Sequence, residues 1–423
     1  MCRSPTPIRP RLPSWLPTEG SLPVRESVAV GSAAASSAAA RALRPTRAEV
    51  NLAALRRNVN RLTELAAPAE LWVVVKANAY GHGALQCARQ ALAAGARGLC
   101  VALVQEAVEL REAGITSQIM VLSEQSPHAA DLLVAHDLTC VVYNQHYIAA
   151  LSAAATRAQR QVKVHLKIDT GMHRAGVDPA QAVELARHIV TAPGVVFEGV
   201  MTHLATADDP HHPATQRQLA QFEHVLADIR AVAPQVRHVH SANSAAVLRG
   251  LAASASAAVH GAFSYTMVRA GISAYGLSPG DGVANLTTSL EPVLRLRTEV
   301  SHVRRVRAGE GVSYGLRTTL DRDTTVATLP LGYADGISRR AWQTDARVLV
   351  GGRRRRILGV VTMDQMMVDC ADDTVQVGDE AVIIGTQGTE QITAEDWARA
   401  LDTITYEVVC DISSRVPRTY GEQ

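Results

Sequence analysis

Between residues 45 and 285 the sequence alternates eight times between a short apolar run and a stretch with helical spacing, and this limits the fold more than any other feature. The runs are 71–75, 98–103, 118–122 and 138–143, then 162–168, 196–202, 236–240 and 267–274. Helical spacing fills the intervals, for example Ala84–Ala94, Gln105–Ala113, Pro179–Val190 and Gln216–Val232. The runs are short and β-branched or apolar. Eight such units in succession predict a parallel (β/α)₈ barrel over residues 45–285.

After about residue 285 the pattern changes. Residues 290–308, 324–331, 346–350, 355–361, 365–369 and 380–385 read as strands separated by glycine-containing turns. One helix is expected with Thr393 as its cap and Glu395 and Asp396 in its first turn. Residues 286–423 therefore form a second, mostly β domain, in which the run Arg353–Arg356 reads as a solvated hairpin. Residues 1–44 are rich in Pro, Ser, Ala and Arg and lack periodicity. They read as a disordered extension or an over-long start, in preference to an export signal or a transit peptide.

The chain has 423 residues and a formal net charge of +2, which gives no electrostatic footprint for nucleic acid or an anionic membrane. No apolar run approaches the roughly 18 residues of a membrane span. Six scattered cysteines without a C-x-x-C pair point to a reducing, cytoplasmic setting and away from a disulfide scaffold or a metal site. Among 42 basic residues only Lys76, Lys163 and Lys167 are lysines; the other 39 are arginines. Arginine cannot lose its proton and act as a nucleophilic amine, so the lysines draw attention.

Barrel enzymes place their chemistry at the C-terminal ends of the strands. The first run ends in Lys76, followed by Asn78, Tyr80 and His82; the fifth holds Lys167 and leads into Asp169 and Arg174. A lysine desolvated at a barrel mouth becomes a neutral amine able to form a Schiff base. Arg174 could hold a carboxylate or pair internally with Asp169. Thr202 and His203 end the sixth run, and His203 could equally be a structural histidine. Ser241, Asn243 and Ser244 follow the seventh, and Arg269, Gly271 and Ile272 lie in the eighth. Loops after strands seven and eight often hold a phosphate. A strand-one lysine opposite such a site suggests pyridoxal 5′-phosphate (PLP).

The segments VVVKANAYGHG (73–83), KIDTGMHRAG (167–176), THLATAD (202–208), HSANSAA (240–246) and MVRAGISAYGL (267–277) occur in order. GVSYG (311–315), LGYADG (331–336), MDQ (363–365) and TITYEV (403–408) follow. From about residue 45 to 420 the chain resembles the PLP-dependent alanine racemase family. The resemblance implies reversible interconversion of L- and D-alanine, supplying D-alanine for peptidoglycan, in a homodimer with shared active sites. It implies that Lys76 holds the cofactor and is the base on one face of the substrate. Tyr314, from the partner subunit, would be the base on the other. Tyr80, Asn243, Ser244, Gly271, Ile272 and Tyr406 would surround the phosphate, with Arg269 facing the pyridine nitrogen. Arg174 and Met363, next to Asp364, would hold the substrate carboxylate. His203 would connect Arg269 towards the catalytic tyrosine. Lys167 matches a position that is carbamylated in some relatives, and Tyr333, Asp208 and Arg339 match an access channel.

Two bases make sense physically, because one group at one fixed position cannot reach both faces of Cα. An arginine at the pyridine nitrogen keeps it unprotonated, which weakens the electron sink and disfavours side reactions. Val360 and Thr362 depart from types seen in some relatives, and residues 251–264 form an Ala/Ser-rich insertion. A broad-specificity or serine racemase of the same family is the competing reading. A decarboxylase would want a carboxylate where Arg269 stands. A non-catalytic PLP-binding protein would lack the domain that carries Tyr314.

Overall fold

The computed structural model describes residues 44–251 and 265–421. The expected N-terminal extension, Arg44 apart, and nearly all of the expected insertion lie outside the described residues. Eight parallel strands form one sheet: β2 (Glu70–Val74), β3 (Gly98–Val101), β4 (Gln118–Val121), β5 (Thr139–Val142), β6 (Val162–Lys167), β7 (Val195–Met201), β8 (His238–His240) and β9 (Met267–Ala270). The sheet runs in chain order from β2 to β8, and β9 pairs with β2 on its other side. The ring closes between β8 and β9 through Thr266 N–H to Val239 O (3.0 Å) and Arg269 N–H to Ala242 O (3.0 Å). Helices Ala84–Ala93, Val104–Glu112, Ala182–Thr191 and Ala214–Val232 occupy expected intervals. The eighth strand is shorter than its apolar run: it stops at Ala270, and Ile272–Tyr275 forms a tight 3₁₀ turn that re-aims the chain.

A second sheet, described from β1 (Arg47–Asn51) onward, takes its other strands from the C-terminal part. These are β10 (Leu294–Glu299), β11 (His302–Val306), β14 (Thr324–Leu329), β15 (Arg347–Val350), β16 (Arg353–Leu358), β17 (Met366–Asp369), β18 (Glu380–Gln387), β19 (Glu390–Ile392) and β20 (Arg418–Gly421). Its order is β11-β14-β17-β16-β15-β18-β10-β1-β20, with β19 on β18. β1 pairs antiparallel with β10 and parallel with β20, so this strand belongs to the β domain although the sequence reading began the barrel at residue 45. Its pattern gives the reason: Ala48 and Val50 are buried while Glu49 turns to the other face and pairs with Arg295 and Arg297. Such alternation marks a strand with one solvated face, unlike barrel strands such as β2, β3 and β5, which are buried on both faces.

The run 290–308 is two strands, β10 and β11. Between β11 and β14 a two-stranded hairpin, β12 (Gly311–Val312) and β13 (Thr318–Thr319), carries Tyr314 in its turn. The expected helix is Ala394–Leu401; Thr393 Oγ1 accepts from Asp396 N–H while Asp396 Oδ2 accepts from Thr393 N–H. A second short helix, Thr405–Cys410, holds Tyr406. The arginine run is less solvated than expected. Arg353 and Arg354 reach Asp373 and Glu390 at the surface, but Arg355 is buried, donating to Val350 O and Cys370 O and pairing with Asp373. Alternation along β16 forces that inward turn.

Candidate active site

A cavity of about 550 Å³ opens at the C-terminal ends of the barrel strands. Lys76, Tyr80, Lys167, Arg174, His203, Asn243, Ser244, Arg269, Gly271, Ile272 and Tyr406 all line it. Ten of these positions come from five strand ends of the barrel; Tyr406 comes from the β domain. No aspartate or glutamate is part of the lining among the described residues.

The backbone after Lys76 is unusual. Ala77, Asn78, Ala79 and Tyr80 all have φ between 51° and 55°, a left-handed turn built without glycine. Each such residue costs roughly 1–2 kcal/mol, so the surroundings must hold it. Glu106 does part of this, accepting from Ala77 N–H (2.6 Å) and, through its other oxygen, from Ala102 N–H (2.8 Å) and Leu103 N–H (3.0 Å). Asn78 Oδ1 accepts from Ala84 N–H (2.8 Å), and the buried His82 ring lies against Ala79 O and Tyr80 O. Strain held this firmly concentrates at functional sites.

Burial, and then the charge of Arg174, lowers the Lys76 ammonium from its ordinary range. Burial, Arg174 and Arg269 bring Lys167 down to about 8. Arg174 has no protein hydrogen-bond partner among the described residues, so its guanidinium is available to a ligand. The internal pair with Asp169 does not form. Asp169 Oδ1 instead accepts from Gly171, Met172 and His173 N–H groups, each at 3.0 Å, and shapes the loop that presents Arg174.

Arg269 is almost fully buried beneath the cavity. Its Nη2 donates to Thr202 O (2.9 Å) and Ser241 O (3.1 Å) and lies 3.4 Å from His203 Nδ1, and its Nη1 donates to His240 Nδ1. Its Nε–H has no acceptor among the described residues. Burial and the neighbouring Arg269, Arg174 and lysines hold His203 far below the usual imidazole range, so it is neutral. Ser244 Oγ accepts from Gly271 N–H (2.8 Å) and Ser273 N–H (3.4 Å), and Asn243 Oδ1 caps Ala246 N–H (3.1 Å). A Cβ at Gly271 would lie 2.4 Å from the Tyr80 hydroxyl, so only glycine lets that phenol sit over this turn. Tyr80 and Tyr406 pack with ring centroids 5.9 Å apart, and burial raises both phenols.

Other expected residues lie elsewhere. Tyr314 is 71% exposed and Met363 51% exposed, and neither lines the Lys76 cavity of its own chain. Asp364 pairs with Arg415 at 2.7 Å. Tyr333 and Arg339 line a second cavity of about 510 Å³ on the β domain, while Asp208 packs beside Gly280. Sequence reasoning passed over Ala102, Leu122, Ser123 and Tyr143, which line the cavity from the ends of β3, β4 and β5. The strand-end rule would have found Ser123 and Tyr143 had it been applied to every strand. No cluster able to hold a metal ion occurs among the described residues.

The family model described as "Alanine racemase, N-terminal domain" matches residues 50–279, and "Alanine racemase, C-terminal domain" matches residues 293–420. This chain belongs to the alanine racemase family. It is 46% identical over 382 residues to an alanine racemase of Symbiobacterium thermophilum, covering 90% of this chain and 98% of that one. It is 44% identical over 382 residues to one of Thermobifida fusca, covering 88% and 97%. The crystal structure of alanine racemase from Streptomyces lavendulae superposes with a TM-score of 0.83 at 39% identity, covering 89% of this chain and 97% of that one. A histidine racemase from Leuconostoc mesenteroides superposes with a TM-score of 0.80 at 26% identity, covering 90% and 98%. No helix among the described residues of this racemase family member is long and apolar enough to cross a membrane.

Proposed function

We propose that this chain interconverts L- and D-alanine with PLP as cofactor, working in the cytoplasm as a homodimer and supplying D-alanine for peptidoglycan. The observation that supports this best is the convergence of Lys76, Lys167, Arg174 and Arg269 on one cavity with no carboxylate among the described lining residues. That charge suits a ligand set with two anionic groups, a phosphate and an amino-acid carboxylate. The residues present fit PLP. Lys76 would hold it; Tyr80, Asn243, Ser244, Gly271, Ile272 and Tyr406 would surround its phosphate; the free Arg269 Nε–H would face its ring nitrogen. When bound, PLP draws electrons from the substrate Cα and so weakens its C–H bond.

The chain's own groups supply the rest. Arg174, unpaired among the described residues and held out by the Asp169 loop, orients the alanine carboxylate; Met363, exposed and absent from the cavity of its own chain, would meet that carboxylate from the partner subunit. Lys76, whose ammonium burial and Arg174 lower from its ordinary range, takes or returns the Cα proton on one face. Tyr314 does so on the other face, from the partner subunit; its exposure in one chain suits that arrangement. Arg269 remains charged, because burial lowers it only to about 10, and a fixed cation repels a second proton from the ring nitrogen. Neutral His203 lies beside Arg269 and also lines the cavity. Lys167, largely buried and easily neutralised, can take up CO₂ as a carbamate and then counter the charge of Arg174.

Proton NMR of L-alanine in D₂O with purified protein and PLP, together with chiral product analysis, tests the proposal. Loss of the α-proton signal with D-alanine formed and L-serine slow is the expected result. Equal rates on serine favour the broad-specificity reading. No exchange from PLP-loaded protein refutes both.

A further inference from the structure

A row of buried side chains runs from Arg269 through the barrel interior. Arg269 Nη1 contacts His240 Nδ1 on β8, His240 Nε2 lies 2.7 Å from His165 Nδ1 on β6, and His165 Nε2 lies 3.3 Å from Glu198 Oε2 on β7. Both rings are fully buried, and the Glu198 side chain is 11% exposed.

The direction of every bond follows from its first member. Guanidinium is donor-only, so His240 Nδ1 must accept and carry no proton. A neutral His240 then has its proton on Nε2 and donates to His165 Nδ1. His165 in turn has its proton on Nε2 and donates to a Glu198 carboxylate. Chemistry at each atom is satisfied in one arrangement: Arg269 to His240 to His165 to Glu198. Electrostatics agrees. Burial lowers both imidazoles; Arg269 adds to it at His240, while at His165 the Glu198 bond and charge oppose burial without overcoming it. Burial opposes ionisation of Glu198, but the His165 bond and nearby Lys163 and His238 outweigh it.

Two features of the backbone exist for this row. The β6–β7 pairing slips between Val164 and His165: Val164 faces Phe197 but His165 faces Gly199, leaving Glu198 as the extra residue. A bulge of that kind re-aims a side chain, and here the carboxylate reaches the His165 ring. A Cβ at Gly199 would lie 2.5 Å from His165 Nδ1, so glycine makes room for the imidazole. Gln118 Nε2–H steadies the other Glu198 oxygen at 3.4 Å.

We propose that Glu198 is a positioning residue that acts through His165 and His240 to fix the plane and charge of Arg269, leaving its Nε–H aimed into the cavity. The inference rests on the proposed PLP-dependent racemisation for its catalytic consequence. Without the carboxylate, His165 Nε2–H has no strong acceptor, and His165 can adopt the other tautomer and donate from Nδ1. His240 Nε2 must then accept, which moves its proton to Nδ1 and opposes Arg269.

The test uses PLP-loaded full-length protein labelled with ¹⁵N-histidine. Wild type should give His165 and His240 as neutral imidazoles protonated on Nε2. Glu198→Leu should lose that single tautomer, weaken PLP binding measured by titration, and lower kcat roughly tenfold with KM for alanine little changed. Glu198→Gln, whose amide oxygen still accepts, should restore the tautomers and most of kcat. If Glu198→Leu folds poorly, His165→Phe breaks the same row elsewhere, and the double variant should lose no more than the worse single one. Wild-type histidine signals and wild-type kcat in Glu198→Leu, with racemisation intact, overturn this proposal alone. A wild-type protein that does not racemise alanine overturns the functional reading and this one with it.

Discussion

Gly271→Ala probes the contact on which the floor of the cavity depends. The new Cβ would meet the Tyr80 hydroxyl at 2.4 Å and its Cζ at 3.1 Å. Tyr80 cannot retreat freely, because its ring packs against Tyr275 (5.2 Å between centroids) and Tyr406 (5.9 Å) and is almost fully buried. Overpacking of this kind costs about 1–3 kcal/mol. For a chain of this length that corresponds to roughly 1–4 °C in Tm. The variant should also bind PLP more weakly, since Tyr80 and Gly271 both line the proposed phosphate site. Thermal denaturation and PLP titration measure both effects. The overlap is mainly with the hydroxyl, so adding Tyr80→Phe should recover most of the lost Tm, the remaining 3.1 Å contact being relieved by a small shift. A Gly271→Ala protein with unchanged Tm and PLP affinity, or a double variant less stable than the single one, refutes the reasoning.

Glu106→Ala should destabilise the protein by about 2–3 kcal/mol, because three backbone N–H groups lose one charged acceptor; denaturant unfolding measures it, and a change below about 0.5 kcal/mol contradicts the role given to the strained turn. Lys167→Met isolates one titration. The Lys167 ammonium is lowered in the folded state to about 8 from an ordinary 10.5, so between those values the unfolded chain binds the extra proton and stability rises with pH. In CO₂-free buffer the wild type should therefore gain up to roughly 3 kcal/mol more than Lys167→Met across that window. Equal slopes for the two proteins would contradict the burial argument.

The barrel was legible because its strands are short apolar or β-branched runs alternating with helical spacing, and the strand ends point to Lys76, Arg174 and Arg269 without any partner being known. What escaped the sequence depended on distant partners or on backbone shape. β1 belongs to the second sheet because of strands more than 240 residues later, β10 and β20, and local alternation alone does not name them. The left-handed turn at 77–80 contains no glycine to announce it, and its support comes from Glu106 on another helix. Asp169 and Arg174 could have been an ion pair; only the loop geometry reveals three N–H groups claiming the carboxylate. Arg355 is buried by strand phase within a run that composition marks as solvated. Glu198 is an ordinary acidic residue until the β6–β7 slip turns it towards His165.

The central claim is that Lys76 and Tyr314 serve one substrate from two subunits. Mixing Lys76→Ala with Tyr314→Phe after denaturation and joint refolding tests it most directly. Each variant alone should be nearly inactive in alanine racemisation. Random pairing puts both lesions into one site of each mixed dimer and leaves the other site intact, so about a quarter of the wild-type sites should return. Should Tyr314 act within its own chain, or not act at all as the second base, the mixture will be no more active than the average of the two variants, and the account will be wrong.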